Sequence, residues 1–129
     1  MTIAIQSSFE PYVWAALWQV ALAGLQAGGP ALNPRAGDAN DWLSRLQYAV
    51  SFVGTAVSWM AWGLGVWVAM RFGIVAGLVF SAFSFAVNVI TVIELHRWRP
   101  DPLKVQALCF VAMPVFAVKT LAALGVILA

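Results

Sequence analysis

Lys119 is the residue in this chain that could do chemistry from the least ordinary place. It lies inside the last apolar run, about ten residues from the C-terminus, so the helical rise puts it ~15 Å below a membrane surface. An ammonium at that depth is costly. Such groups face a bundle interior or a wet cavity, unless the long stem lifts the charge to the headgroups. No acid shares the depth, since Glu10 and Glu94 fall near the two surfaces, whereas Gln19, Ser58, Ser81 and Ser84 fall near it. These neutral groups are expected to form a polar layer around Lys119, an arrangement suited to an anion site or to a lysine that loses its proton by desolvation. Asn88 is the second intramembrane polar group. It falls on a row of small residues, which favours hydrogen bonding between helices over pore lining.

The remaining chemistry is thin. His96 is the only histidine and Cys109 the only cysteine. A haem or metal would need a second ligand, so no cofactor and no metal is expected. His96 instead groups with Arg97, Arg99 and Lys104 as a basic patch for anionic lipid headgroups. No Ser/His/Asp set, paired carboxylates at depth or phosphate-binding glycine loop is present, and the chain is not expected to be an enzyme. Basic residues are not interleaved with aromatics as a nucleic-acid groove requires.

The elements that position these groups follow from composition. Of 129 residues, 63% are apolar and 9% charged. Soluble domains carry about a quarter charged residues, so lipid must be part of the solvent here. The predicted fold is all-α: a polytopic membrane protein forming one transmembrane domain over residues 1–129, with spans near 12–27, 46–70, 73–93 and 105–129. Ser8 and Pro11 suit a helix start, Gly28-Gly29-Pro30 a stop, and Asn40 or Asp41 the next cap. The first span covers only roughly 24 Å, short of a ~30 Å hydrocarbon core. Its polar residues Tyr12, Gln19 and Gln26 share a face with Ala16 and Ala23, which predicts burial against other helices. Residues 94–106 read as a charged connection kept out of a helix by Pro100 and Pro102, and Pro114 as a kink in the fourth span.

Spacing says how the helices touch. Ser51, Gly54, Ser58, Ala61, Gly65 and Ala69 recur at steps of three and four, as do Gly77, Ser81, Ser84, Asn88 and Thr91. This alternation keeps one face of a left-handed pair in contact, and small residues let backbones approach in lipid. The expectation is a four-transmembrane-helix bundle organised around a hairpin of the second and third spans, turning at Arg71-Phe72-Gly73.

Orientation and partners follow. The first and third connections hold Arg35, Arg45, Arg97, Arg99 and Lys104, and the opposite side holds Arg71. The basic side is expected to be cytoplasmic, in the inner membrane of a bacterium, with both termini outside. No Lys or Arg precedes the first apolar run, so no cleavable signal is expected. Trp59, Trp62, Phe80 and Phe83 lie too deep for a headgroup belt and suit contact with another membrane subunit or a further copy. The expected function is a small integral membrane subunit, structural or accessory, in a larger or homo-oligomeric assembly. The alternative is a small oligomeric transporter or channel, including a lysis-type pore former, with Lys119 lining the path.

Overall fold

The computed structural model describes residues 2–29 and 42–125, with side chains from residue 10 onward. These residues form helices α1 (Thr2–Leu25), α2 (Trp42–Phe72), α3 (Ile74–Trp98) and α4 (Pro102–Ala123), with a 3₁₀ turn at Gln26–Gly28 and no strand among the described residues. The proposed cap at Asn40 or Asp41, the cation Arg35 and the last four residues of the fourth run lie outside the described residues.

Three helices, α2, α3 and α4, are long and apolar enough to cross a membrane. α1 is 24 residues long, but Glu10, Pro11, Tyr12 and Gln19 dilute its apolar run. Its surroundings explain why that composition is tolerated. α1 packs against all three other helices, while α3 and α4 do not touch each other. Pro11, Ala15, Trp18, Gln19 and residues 21–25 are buried, and Glu10, Val13, Leu17 and Val20 form one outward strip. A helix covered by protein needs less hydropathy than one covered by lipid. The packing centre is therefore α1 rather than the hairpin that the small-residue rows suggest. α1 also runs through Ser8 and Pro11 instead of starting there.

α2 and α3 do form an antiparallel hairpin. Gly73 alone separates them, at φ 106° and ψ 160°, a region essentially confined to glycine. Near the turn the backbones approach closely. A Cβ on Gly65 would lie 2.9 Å from the Gly77 carbonyl, and one on Gly77 would strike the Gly65 carbonyl and Ala69. Ser81 Oγ donates to the Trp62 carbonyl at 2.8 Å across the same contact. Farther from the turn the α2 row changes partner. A Cβ on Gly54 would lie 2.8 Å from Leu25 Cβ and 3.1 Å from the Leu22 carbonyl, both belonging to α1. Ser51 Oγ donates to Gln26 O at 3.4 Å. The row is one continuous face of α2, but it serves α3 at one end and the end of α1 at the other.

The link between α3 and α4 is shorter than its charge and prolines suggest. α3 continues through Glu94, His96 and Arg97 to Trp98, and α4 starts at Pro102, so residues 94–98 and 102–106 are helical. Arg99 closes α3 in the left-handed region at φ 47°, with its N–H donating to Leu95 O. The Asp101 carboxylate caps α4 by accepting from Leu103 N at 3.1 Å. Pro102 sits in the first turn, where its missing N–H costs nothing. The two prolines punctuate a short link; they do not exclude helix from the whole stretch. Pro114 lies inside α4 without ending it.

Gly24 of α1 rests against Cys109 and Val105 of α4, and Trp14 against Phe116, with ring centroids 6.3 Å apart. These contacts run α4 antiparallel to α1. They place the α1 C-terminus with the N-termini of α2 and α4 at one end, and the Gly73 turn with Leu124 at the other, where Trp67 Nε1 donates to Leu124 O at 3.1 Å.

Candidate functional site

Mid-bundle, three helices meet at a buried junction of amides and one hydroxyl. Asn88 of α3 donates through Nδ2 to Gln19 Oε1 of α1 at 3.0 Å and to Ser58 Oγ of α2 at 3.2 Å. Ser58 Oγ also accepts from Gln26 Nε2 at 3.3 Å and donates to the Gly54 carbonyl at 2.9 Å. The hydroxyl thus uses its one hydrogen and both acceptor sites. All three central residues are buried. The small-residue rows explain the geometry: Ser58 and Asn88 bring α2 and α3 close enough for short polar side chains to reach, and Gln19 supplies length from α1.

A second tie lies toward the α1 C-terminus. Gln106 Nε2 donates to Leu25 O at 2.7 Å and to Gln47 O at 2.9 Å, joining α4, α1 and α2. The sequence reading missed Gln106 and Gln47. Gln106 was hidden because the residues before it read as a connection; one turn past a proline-initiated helix start, it points at whatever packs there.

These groups are amides and hydroxyls, so the junction holds helices together and offers no acid, base or nucleophile. Among the described residues no group of three or more His, Cys, Asp or Glu is placed to hold a metal ion. The polar layer expected around Lys119 does not assemble there: Gln19 and Ser58 gather on Asn88 instead, and Ser81 bonds to the Trp62 carbonyl. Lys119 is exposed on α4, its ammonium 5.8 Å from the centroid of the Trp14 ring. Trp14 in turn donates through Nε1 to Glu10 Oε1 at 3.4 Å. The cation rests on an indole face at the outside of the α1–α4 pair and does not enter the bundle.

The four aromatic candidates separate. Phe80 is 1% exposed and belongs to the core with Ala15, Val68 and Leu124. It is not available to a neighbour, because the α3 face it occupies is the one that receives α1. Phe83 is exposed, at 37%, and meets the Tyr12 ring edge-on at 5.4 Å. Trp59 stays outward at 67% exposure. It makes a T-shaped contact with Trp62 at 5.0 Å, and Trp62 makes another with Phe85 of α3 at 5.1 Å. Phe85 was not singled out from the sequence. Its link to Trp62 crosses between helices, which spacing along one helix does not reveal. Gly63 lies in open space beside this cluster.

Arg97, Arg99 and Lys104 are all exposed at the end shared with the α1–α2 junction, and Arg97 Nη1 approaches Glu94 Oε1 at 3.9 Å. Trp98 is exposed beside them and donates through Nε1 to Glu94 at 2.9 Å.

No protein-family model, curated protein or solved structure matches this chain.

Proposed function

We propose that this chain is a small integral membrane subunit with a structural or accessory role, working by contact within a larger or homo-oligomeric membrane assembly. In this reading α1 is a fourth span, sheltered by the other helices. The end bearing Arg45, Arg97, Arg99 and Lys104 is cytoplasmic in a bacterial inner membrane.

The observation that carries the reading is the Trp59–Trp62–Phe85 cluster. It spans α2 and α3 near their midpoints, on the outer surface, linked by T-shaped contacts. Lipid requires only apolar surface there. Rigid interlocked aromatics are what a protein partner uses as anchors. The polar junction supports the same view, since it fixes the helices that present the cluster. The transport alternative would need Lys119 to line a path. With its ammonium on Trp14 at the outer surface, any such path would have to run between copies.

The test is the particle in which the protein purifies. The double variant Trp59→Ala, Trp62→Ala is expected to lose co-purifying subunits at unchanged protein level, with an association loss of at least ~2 kcal/mol, as for a contact hot spot. Full retention of the assembly, or degradation of the variant as a misfolded monomer, would overturn the contact reading.

A further inference from the structure

Near their N-terminal ends α2 and α4 are tied by the bond from Gln106 Nε2 to Gln47 O, while the second amide hydrogen of Gln106 goes to Leu25 O of α1. Outside this tie a cleft of 380 Å³ opens between the two helices. Its walls are Leu43, Leu46 and Val50 of α2 and Leu103, Ala107 and Phe110 of α4, with Gln47 and Gln106 also lining it. Leu46, Leu103, Ala107 and Phe110 are exposed, whereas Gln47 and Gln106 are buried, so the glutamines form the floor and the mouth faces outward.

We propose that this cleft binds an anionic phospholipid, one acyl chain lying between α2 and α4 and the headgroup phosphate meeting Lys104. This goes beyond the accessory role and does not depend on it. Both amide hydrogens of Gln106 are already committed to carbonyls, so the floor asks for no polar ligand and hydrocarbon can lie against it. A single flexible acyl chain fits an open apolar slot of this kind.

Charge selects the lipid. Lys104 is exposed and follows wall residue Leu103 directly in sequence. Arg99, also exposed, closes α3 just before α4 begins. Arg97 is engaged with Glu94, and Asp101 keeps its negative charge while it accepts from the Leu103 N–H as the α4 cap. Arg99 and Lys104 outweigh Asp101 by one positive charge at headgroup level, where basic residues attract anionic lipid.

Native mass spectrometry of the intact protein, released from micelles doped with phosphatidylglycerol or with phosphatidylcholine of the same acyl chains, tests this. The unaltered protein should retain one phosphatidylglycerol in preference to phosphatidylcholine. Lys104→Gln should cut phosphatidylglycerol retention about fivefold, the effect of one surface cation, and leave phosphatidylcholine unchanged. Ala107→Phe fills the slot from α4 and Leu46→Trp from α2; either one, with its helical circular dichroism intact, should abolish retention of both lipids. Equal retention of the two lipids by the unaltered protein would overturn the assignment. So would retention that survives both slot-filling variants. A loss of oligomer mass in Ala107→Phe with lipid retention unchanged would make the cleft a contact between copies instead.

Discussion

Asn88 shows how much one side chain can organise in lipid. Its two amide hydrogens reach α1 and α2 at once, through Gln19 and Ser58. Removing them strands the buried Gln19 Oε1 where no water can replace the donor, and leaves Ser58 Oγ to accept only from Gln26. The net loss stays moderate, because helices separated within a membrane find other partners, and interhelical bonds there average ~0.6 kcal/mol with maxima near ~1.7. Asn88→Ala should therefore destabilise the folded chain by about 1–2 kcal/mol in detergent unfolding. Ser58→Ala should cost less when made on top of it than when made alone. Strict additivity of the two changes would show that they do not share the junction. Lys119 makes the complementary point: its type and depth mark it from sequence, yet the residue it meets, Trp14, lies on another helix.

At the scale of the element, α2 is the informative helix. It has 31 residues, and its small-residue face is continuous from Ser51 to Ala69. Helix periodicity establishes the face but does not say what lies against it. The structure divides it: Gly65 meets Gly77 and Ser81 of α3, whereas Gly54 meets Leu22 and Leu25 of α1. Gly63, two residues from Gly65, points into open space. A paired experiment follows. Gly65→Leu should cost about 1–3 kcal/mol by overfilling the helix contact. Gly63→Ala should be neutral or stabilise by up to ~1 kcal/mol, through helix propensity alone. Equal effects in thermal unfolding of the purified chain would mean that α2 is rotated from the position described.

At the scale of the molecule, the helix directions gather most of the described Lys and Arg at one end. Arg45, Arg97, Arg99 and Lys104 lie at the end where α2 and α4 begin, and Arg71 lies at the opposite end beside the Gly73 turn. The proposed orientation puts this end in the cytoplasm, on the Lys and Arg bias. With Cys109 replaced by alanine, single cysteines introduced as Gly37→Cys and Asp101→Cys should resist a membrane-impermeant thiol reagent until the cells are permeabilised. Labelling of both in intact cells would reverse the orientation.

The residues alone determined class and several local features. Low charge and high apolar content required lipid as solvent, and the three- and four-residue spacing of Gly and Ser required close helix contact. Tyr12, Ala16, Gln19, Ala23 and Gln26 shared a face that had to be covered by protein, and the structure gives each of them a buried or half-buried place on α1 and the turn that follows it. What periodicity along one helix carries no information about is the partner of each face. Only the tertiary structure decided that α1 occupies the centre, that Phe80 turns into the core while Trp59 stays outside, and that Gln19 meets Asn88 rather than Lys119. The physical reason is the same in each case. A face has an identity from spacing alone, but its neighbour is chosen by how all four helices share a limited set of contacts. That competition is settled by backbone approach at Gly54, Gly65 and Gly77, which acts across the chain and not along it.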